Sequence, residues 1–323
     1  MNKTLFNKIY KSIKNHQNIV IARHVSPDPD AIASQISLRD SIKLTFPSKN
    51  VYAVGMKVSK FKYYGNLDYV DETTLDNPLL IVCDVPNVAR IDGAHIEYFD
   101  EIIKIDHHPS TENFATINFE EDTASSTCQM ITELILNTKL KLNKQIAENL
   151  YMGIVSDSDR FLLPYTSAKT FKLVSQLIEE TNIDFPSLYN NLYERPLNEI
   201  KFQSYISTNM TITENGLGYI KITPEIIKDF KVDNGTASNM INNFNFIKEL
   251  KVWTFITYDD KTNIYKINIR SRGPIINTVA SKYNGGGHKY ASGVRTNEAS
   301  DIDQLIIDLN QACIEYNKNQ DSK

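Results

Sequence analysis

The first half of the chain contains a short segment, HVSPDPD (24–30), that brings one imidazole and two carboxylates together at His24, Asp28 and Asp30. Side chains share a face every 3.6 residues or so in a helix and every second residue in a strand, and this spacing fits neither. The intervening prolines disfavour a helix before Asp30 and predict extended backbone at Ser26 and Asp28. The sequence therefore predicts a stiff loop that presents groups able to ligate metals or transfer protons.

Further clusters of acidic residues and histidines follow the ends of other predicted elements. They are Asp84 at the end of LLIVCD, Asp106, His107 and His108 at the end of EIIKIDHH, and Asp157 directly after GIVS. Ligands of open parallel sheets bind outside the carboxyl ends of the strands, so we expect these side chains to converge. Converging carboxylates repel one another and are costly to desolvate unless a cation lies among them. The pattern thus predicts a metal centre.

The ligand set combines imidazole nitrogen with carboxylate oxygen and contains no thiolate. Such a set suits Mn²⁺, with Mg²⁺, Fe²⁺ or Co²⁺ as alternatives, and disfavours a structural zinc site. The ligands outnumber the needs of one ion, so we expect two divalent ions about 3.5–4 Å apart that share one carboxylate. A pair of this kind activates water and binds phosphoryl oxygens. The predicted chemistry is therefore metal-assisted phosphoester hydrolysis.

Each motif by itself also has a simpler interpretation. Asp30 could cap the helix that begins at AIAS, and Asp84 could be an ordinary turn residue at a strand end. Ser125, Ser126 and Thr127 are interpreted as a helix cap, with phosphate binding as the alternative. The joint occurrence of the clusters at four strand or helix ends favours the metal site over these separate readings.

Strand-like and helix-like patterns alternate along the first half of the chain. Strands are predicted at 18–23, 51–55, 79–84 and 101–107, and helices at 30–44, 125–137, 143–156 and 167–180. This alternation predicts an α/β domain with a mainly parallel sheet flanked by helices. Beyond a polar segment, a hairpin pattern at 253–272 and a last helix predict a smaller α+β domain. We assign residues 1–187 to a metal-binding domain, 188–205 to a helical linker and 206–323 to a substrate-binding domain.

Composition narrows the class of protein. The chain has 323 residues, of which 41% are hydrophobic and 23% charged, which is typical of two globular domains. Its net charge of -4 gives no long-range attraction to nucleic-acid backbones, so long duplex nucleic acid is not an expected partner. The three cysteines are far apart, which disfavours a disulfide framework. No apolar run approaches the ~20 residues that span a bilayer, and we expect a cytoplasmic protein without membrane association.

The motifs together resemble those of a known family. DHH at 106–108, with HVSPDPD at 24–30, CDVP at 83–86 and GIVSDSDRF at 153–161, resembles the DHH phosphoesterase superfamily. GGGHKYASG at 285–293 resembles the glycine-rich motif of the associated DHHA1 domain. The similarity extends over nearly the whole chain and is strongest to the stand-alone nanoRNase/pAp-phosphatase (NrnA-type) subgroup and related enzymes that cleave cyclic or linear dinucleotides. It implies an active site in the cleft between the two domains, and relatives favour a homodimer.

The resemblance also implies roles for the clustered residues. One manganese ion would be held by His24, Asp28 and Asp84, and the other by Asp30, Asp84, His107 and Asp157. Asp84 would bridge the two ions. Asp106 would orient a ligand histidine through a hydrogen bond, and His108 would face the substrate phosphate as a donor or general acid.

Substrate binding is expected in the second domain. The candidate residues are Arg270, Ser271 and Arg272 at the end of the hairpin, and Gly285, Gly286, Gly287 and His288 in the glycine-rich motif. Guanidinium groups and glycine N–H groups can both bind a phosphate, although a solvated strand end and a flexible turn are the simpler interpretations. With the resemblance, we expect a pocket for the 5′ end or terminal base of a substrate. Asn284 stands where many relatives have another glycine.

The leading hypothesis is a Mn²⁺-dependent hydrolase that converts short oligoribonucleotides (nanoRNA, and linear dinucleotides such as pApA) to mononucleotides, with 3′-phosphatase activity on pAp. A cyclic-di-AMP phosphodiesterase is the alternative, because both activities need the same metals and a nucleotide-sized cleft. A catalytically silent nucleotide-binding protein is a third hypothesis. Loss of a metal ligand would indicate it, and no ligand of the implied set is lost.

Overall fold

The computed structural model describes residues 2–321, and the chain divides into two units, Met1–Glu194 and Arg195–Lys323, which we call the N-terminal and the C-terminal unit. Each unit has a sheet of its own. The segment 188–205, predicted as a helical linker, contains the end of one helix and the start of the next, with Pro196 between them.

Strands and helices alternate through the first part of the N-terminal unit. The strands are β1 (Asn18–His24), β2 (Asn50–Ala53), β3 (Leu79–Cys83), β4 (Ile91–Asp92), β5 (Glu101–Asp106) and β6 (Ile117–Glu120). The helices are α1 (Asn2–Asn15), α2 (Pro29–Thr45), α3 (Thr127–Leu136), α4 (Lys144–Asp157), α5 (Ala168–Thr181) and α6 (Phe185–Tyr193). β2, β1, β3, β5 and β6 pair in that order and all in parallel, while β4 pairs antiparallel with the end of β1. The predicted mainly parallel sheet is confirmed.

The central strands of this sheet are buried on both faces, which explains their continuous apolar runs. One face, which includes Ile19 and Ile21, packs with the helices in the larger core. The other face, which includes Val20 and Ala22, packs against loops and short 3₁₀ turns. The α-helices therefore pack on the first face, and the loops that follow β2 and β3 cover the second.

The C-terminal unit is a smaller α+β structure, as predicted. Its strands are β7 (Thr211–Ile212), β8 (Leu217–Ile222), β9 (Val252–Asp259), β10 (Ile264–Ser271), β11 (Gly286–His288) and β12 (Ala291–Thr296). Its helices are α7 (Leu197–Asn209), α8 (Pro224–Phe230), α9 (Thr236–Met240), α10 (Asn277–Ser281) and α11 (Ala299–Asp321). The sheet order is β11-β12-β10-β9-β8-β7, and only β8 and β9 pair in parallel.

Helices cover both faces of this second sheet. Ile302, Leu305 and Leu309 of α11 pack on one face, and Phe202 and Ile206 of α7 belong to the core on the other. Among residues 2–321, no helix has the length and apolar character needed to cross a membrane.

Candidate metal centre

Three strands and one helix end at the same place in the N-terminal unit. His24 is the last residue of β1, Asp84 directly follows β3, Asp106 is the last residue of β5, and Asp157 is the last residue of α4. The strands are parallel neighbours, so their carboxyl ends lie at one edge of the sheet. This topology brings residues from distant parts of the chain into one cluster.

The six residues expected to ligate metal form two groups of three. The ligand atoms of His24, Asp28 and Asp84 lie within 4.8 Å of one another, and so do those of Asp30, His107 and Asp157. The Asp84 carboxylate lies between the groups: its Oδ2 is 3.4 Å from His24 Nε2 and its Oδ1 is 3.5 Å from His107 Nε2. Asp84 is thus placed where a carboxylate shared by two ions would be needed.

Both histidines of these groups present the same ring nitrogen to the carboxylates. His24 Nδ1 lies 2.8 Å from the Val25 carbonyl oxygen, and His107 Nδ1 lies 3.4 Å from the Ala124 carbonyl oxygen. In the neutral ring that a metal binds, an Nδ1–H that donates to a backbone carbonyl leaves Nε2 unprotonated and free to ligate. The backbone therefore selects the ligating tautomer at both positions.

Asp30 is held by the N-terminus of α3. Its Oδ2 accepts a hydrogen bond from the Thr127 backbone N–H (2.8 Å) and its Oδ1 accepts one from the Cys128 backbone N–H (2.9 Å). The Thr127 hydroxyl also donates to Asp84 Oδ1 (3.2 Å). Ser126 caps α3 by accepting from the Gln129 N–H, which confirms the predicted cap and leaves the first amides of the helix for Asp30. The sequence analysis found the cap but missed this contact.

The HVSPDPD loop differs in two details from its expected form. Ser26 has a φ of 54°, so the prediction of extended backbone there is wrong; a following proline disfavours the right-handed helical region and leaves the left-handed one open. Asp28 is extended, and its side chain caps α2 by accepting from the Ala31 N–H (3.0 Å). The helix cap is therefore Asp28, and Asp30 lies inside the first turn of α2 with its carboxylate directed at α3.

Asp106 is hydrogen-bonded to His108. Its Oδ1 accepts hydrogen bonds from His108 Nδ1 (2.8 Å) and from the His108 backbone N–H (3.2 Å). His108 is not among the six expected ligands, although its Nδ1 also lies 3.4 Å from Asp84 Oδ1. The ligand atoms of Asp84, His107 and His108 also lie within 4.8 Å of one another, so His108 stands at the edge of the cluster.

A buried lysine lies behind Asp106. Lys104 is fully buried, and its ammonium lies 3.4 Å from Asp106 Oδ2, 2.6 Å from Glu120 Oε1 and 3.3 Å from the Pro86 carbonyl oxygen. It thereby joins the ends of β5 and β6 to the loop after β3. Sequence analysis missed it because an isolated lysine in an apolar strand carries no motif. The one available signal was the two-residue spacing of Lys104 and Asp106, which places both side chains on the same face of β5.

The charges of this cluster fit the binding of divalent cations. Burial, reinforced by the nearby Asp84 charge, raises the pKa of Asp30 to about 7. Burial and the neighbouring carboxylates raise the pKa of Asp157 well above its usual range, although about a quarter of the side chain remains exposed. Burial alone would lower the pKa of His24, but hydrogen bonds and charges from Asp28 and Asp84 outweigh it and raise the pKa to about 10.

These shifts have one common reason: several carboxylates share a small, largely buried volume without enough positive charge. Asp157 Oδ2 is buried and has no hydrogen-bond partner among the described residues. A divalent cation would satisfy that oxygen and remove the repulsion, and the mixture of imidazole nitrogen and carboxylate oxygen is chemically suited to manganese. The residues present therefore fit a divalent metal centre.

One cationic side chain at the cluster was missed by the sequence analysis. Arg90 is exposed, and its guanidinium lies 3.3 Å from His24 Nδ1. The Arg90 carbonyl accepts a hydrogen bond from the Val25 N–H, which ties this residue to the HVSPDPD loop. An exposed arginine beside a metal-ligating cluster can contact a phosphate group of a substrate. Arg90 could not be predicted from the sequence, because the segment NVAR (87–90) follows a strand end and contains no other charged residue.

The expected substrate-binding residues lie in the C-terminal unit and differ in availability. Arg270 Nε donates to Asn242 Oδ1 (2.9 Å), and its guanidinium remains partly exposed. Ser271 is buried and its hydroxyl donates to the Pro274 carbonyl (2.6 Å). Arg272 Nη2 donates to the carbonyl oxygens of Ile247 and Leu250. Arg270 Nη1 also donates to the Ile269 carbonyl (3.0 Å) and its side chain is half-buried, whereas Arg272 is exposed. Ser271 therefore makes an internal contact, and both arginines combine internal hydrogen bonds with donors that can reach solvent.

The glycine-rich motif forms a short edge strand. Gly286–His288 is β11 and pairs only with β12 among the described strands. Ala291 of β12 pairs with Arg270 on one side and with His288 on the other, so these two cationic or polar side chains lie in one row across the sheet. Asn284, directly before the glycines, has a φ of 55°, a conformation that asparagine tolerates better than most residues.

Comparison with known proteins agrees with this fold. The DHH family, N-terminal domain, matches residues 18–154, and the DHHA1 domain matches residues 218–315. The chain belongs to the DHH family, with a DHHA1 domain after the DHH domain, and is a hydrolase that acts on phosphoester bonds.

Several relatives cover nearly the whole chain. The bifunctional oligoribonuclease and PAP phosphatase NrnA of Bacillus subtilis is 36% identical over 96% of this chain and 99% of its own. A crystal structure of an exopolyphosphatase-related protein from Bacteroides fragilis has a TM-score of 0.83 at 23% identity, covering 96% of this chain and 98% of that chain. The Mn²⁺ complex of RecJ from Thermus thermophilus has a TM-score of 0.52 at 11% identity, covering 97% of this chain and 55% of that chain. The two structural similarities show the fold.

Proposed function

We propose that this protein is a Mn²⁺-dependent phosphodiesterase that hydrolyses short oligoribonucleotides, including linear dinucleotides such as pApA, to mononucleotides. The observation that carries the proposal is the arrangement of two ligand triads around the Asp84 carboxylate. The identity to a Bacillus subtilis protein named as an oligoribonuclease and PAP phosphatase, over nearly the full length of both chains, supports the substrate class. The 3′-phosphate of pAp is a second proposed substrate.

A pair of divalent ions supplies Lewis acidity toward water and toward the phosphoryl oxygens when it is bound. His24, Asp28 and Asp84 would hold one ion, and Asp30, Asp84, His107 and Asp157 the other. Asp30 is already fixed by two amides of α3, and the histidine tautomers are set by backbone carbonyls. The ligands are therefore oriented before a metal or substrate binds, which lowers the reorganisation that catalysis requires.

His108 is the proposed proton donor to the leaving oxygen. Burial would lower its pKa, but the hydrogen bond to Asp106 and the Asp84 charge outweigh burial and raise the pKa above its ordinary value, which favours the protonated ring that a proton donor needs. Asp106 holds Nδ1, and Nε2 remains as the donor to a phosphate oxygen. Arg90 would contribute a further contact to the phosphate.

We also propose that Arg270 and His288 contact one end of the substrate. Their shared row across β10, β12 and β11 places both side chains on the same face of the sheet, and the partly exposed Arg270 guanidinium offers donors to a phosphate. Gly285, Gly286 and Gly287 are included in this proposed subsite. The exposed Arg272 is proposed as a further phosphate contact, and Ser271 would support the subsite indirectly, through its hydrogen bond to the Pro274 carbonyl.

The direct test is a substrate panel at fixed Mn²⁺ that contains pApA, 5′-phosphorylated RNA of two to five nucleotides, pAp, cyclic-di-AMP and a long RNA. We expect mononucleotide release from the short linear substrates, with loss of activity after chelation and in His107→Ala. A higher kcat/KM on cyclic-di-AMP than on pApA would replace the proposed substrate with the cyclic one. Absence of any release from protein that binds Mn²⁺ stoichiometrically would reject the hydrolase proposal in favour of a silent nucleotide-binding protein.

A further inference from the structure

Three segments of the N-terminal unit contain lysines and no acidic residue. They are helix α1, residues 43–50 at the end of α2, and residues 137–145, which run from the end of α3 into the first turn of α4. Their nine lysines are Lys3, Lys8, Lys11, Lys14, Lys43, Lys49, Lys139, Lys141 and Lys144. The whole chain has 39 acidic and 35 basic residues, so its net charge conceals a cationic region.

Contacts join the three segments into one surface, which we call the lysine surface. Lys49 Nζ donates to the Lys14 carbonyl oxygen (2.9 Å) and thereby attaches the end of α2 to the end of α1. The Thr45 hydroxyl accepts from the Lys141 backbone N–H (2.8 Å) and attaches the third segment to the end of α2. Residues 43–50 therefore contact both of the other segments.

The lysine surface and the metal centre lie at opposite ends of the same helices. Lys144 is the first residue of α4 and Asp157 is its last, and a helix of 14 residues is about 21 Å long. Likewise, α2 has Asp30 in its first turn and the contact with Lys141 at Thr45, its last residue. The lysines are therefore too distant to contact a phosphate that is bound at the metal centre.

Most of these lysines have no partner of opposite charge. Lys43 Nζ lies 3.6 Å from Asp68 Oδ1, and Lys49 donates to backbone carbonyls. The other seven are exposed and form no ion pair with another described residue: Lys3, Lys8, Lys11, Lys14, Lys139, Lys141 and Lys144.

Helix stability does not explain this concentration of charge. Lysines in the last turn of a helix complement its dipole, but Lys3 and Lys144 lie in the first turns of α1 and α4, where the dipole disfavours a cation. The seven exposed charges also repel one another. An anionic partner would remove both costs, and a surface with one sign of charge attracts such a partner.

The neighbouring residues favour a nucleic acid over a membrane. Basic helices that bind membranes insert an apolar face, whereas α1 buries Phe6 and Ile9 in the core. Of the described residues in the three segments, Leu44 is the one large hydrophobic residue that is exposed. The other exposed neutral residues are mostly Asn, Gln, Ser and Thr, which can bind phosphate and sugar oxygens. The partly exposed rings of Tyr10 and Phe46, 5.9 Å apart, can contact a base.

We propose that the lysine surface binds the phosphate backbone of single-stranded RNA that is longer than the substrates of the metal centre. Ammonium groups are point charges, so these contacts bind phosphates without selecting a base sequence. The choice of RNA over DNA rests on the proposed function, because the proposed substrates are fragments of RNA. Binding at this surface keeps the enzyme next to a source of such fragments.

The test is equilibrium binding of a labelled, unstructured RNA to the full-length chain in EDTA, where the metal centre cannot hydrolyse it. The test variant combines Lys8→Gln, Lys11→Gln, Lys141→Gln and Lys144→Gln. With an RNA of about 30 nucleotides at about 50 mM salt, we expect it to bind at least tenfold more weakly than wild type. The slope of log Kd against log salt concentration should fall by about 2–3, since each phosphate contact of a single strand contributes about 0.7. The Tm, and kcat/KM on pApA with Mn²⁺, should match those of wild type.

The matched control removes the same number of exposed charges outside the lysine surface. It combines Lys172→Gln, Lys201→Gln, Lys228→Gln and Lys261→Gln. RNA affinity of this variant should stay within threefold of wild type. An equal loss of affinity in the two variants would overturn the inference, because net charge and not the lysine surface would then explain the binding.

Three further arms decide between partners. Displacement of the long RNA by excess pApA would overturn the inference, because the RNA would then occupy the substrate site. Tighter binding of DNA of the same sequence would overturn the assignment to RNA. Lysine-dependent binding to vesicles that contain anionic lipid, without binding to RNA, would replace the RNA by a membrane surface. Lysine-dependent RNA binding by a protein that does not hydrolyse pApA would count against the proposed function alone.

Discussion

Asp28 combines two roles that one substitution can separate. Its carboxylate belongs to the triad with His24 and Asp84, and it also caps α2. Serine is an equally good helix cap but a poor ligand for a divalent ion, whereas alanine loses both functions. The pair Asp28→Ser and Asp28→Ala therefore distinguishes a metal-binding role from a structural one.

We predict that Asp28→Ser and Asp28→Ala both lower kcat/KM on pApA by at least about 100-fold, since even the partners of metal ligands cost 10–100-fold when lost. Only Asp28→Ala should also lose about 1 kcal/mol of stability through the missing cap. Turnover and urea unfolding measure the two effects. A fully active Asp28→Ser protein would show that this carboxylate binds no catalytic metal.

Lys104 gives a second prediction at the scale of single residues. Removing one partner of a buried ion pair leaves the remaining charge unbalanced, at a cost of roughly 3–5 kcal/mol. We expect Lys104→Met to lower the free energy of unfolding by about 3 kcal/mol and to lower kcat more than it changes KM, because Asp106 would no longer be held against His108.

The control for Lys104 is the same substitution at an exposed pair. Lys221 Nζ lies 2.9 Å from Asp303 Oδ1, with both side chains more than half exposed. Such pairs contribute about 0–1 kcal/mol, so Lys221→Met should leave both stability and kcat nearly unchanged. Equal effects of the two substitutions would contradict the positioning role of Lys104.

At the scale of elements, the N-terminus of α3 acts as part of the metal centre. Unpaired amides at a helix N-terminus attract negative charge, and here two of them bind the Asp30 carboxylate. The amides of Thr127 and Cys128 remain available because Ser126 accepts a hydrogen bond from the following amide, that of Gln129, and keeps the first turn helical. The helix therefore fixes a ligand that belongs to a different helix, α2.

We predict that Ser126→Ala costs about 1 kcal/mol of stability and raises the Mn²⁺ concentration for half-maximal activity by about tenfold, because the first turn of α3 loosens around Asp30. Asn143→Ala is the matched control, since Asn143 caps α4 by accepting from the Ile146 N–H, at the opposite end of that helix from Asp157. A Mn²⁺ requirement that rises equally in both variants would mean that general destabilisation, and not the contact with Asp30, is responsible.

The elements themselves could be predicted to different degrees. β1, β3 and β5 are apolar runs buried by the fold, so local composition identified them. β6 was missed because its two buried residues, Ile117 and Phe119, alternate with half-exposed ones and form no continuous apolar run. The short helices α8 and α9 were missed as well, because a helix of one or two turns has too few residues to show a periodic pattern.

At the scale of the whole molecule, the clustered charges make stability depend on pH and metal. The pKa of Asp30 is raised from 3.8 to about 7, so its contribution is complete below pH 3.8 and is lost as the pH rises through 7. The pKa of His24 is raised from 6.5 to about 10, so its contribution is complete below pH 6.5 and is lost as the pH rises through 10. Both groups destabilise the metal-free protein at higher pH.

We predict that the Tm of the protein in EDTA is lower at pH 8 than at pH 6, and that Mn²⁺ raises the Tm more at pH 8. Metal ligation needs deprotonated ligands. The rise in pH that lowers the Tm of the metal-free protein therefore strengthens Mn²⁺ binding, and the same groups cause both effects. Differential scanning fluorimetry at constant ionic strength measures both. A Mn²⁺ effect that is larger at pH 6 would contradict the assignment of Asp30 and His24 as ligands.

The sequence alone determined the residue types of the site and their places at strand ends. These are local properties, because an apolar run predicts a buried strand and the residue that follows the run can be read directly from the sequence. The tertiary structure decided which residues contact one another. Asp30 meets Thr127, 97 residues away, and Lys104 meets Glu120 and Pro86. Such contacts join residues that are distant in the chain, and no local pattern encodes which of them will meet.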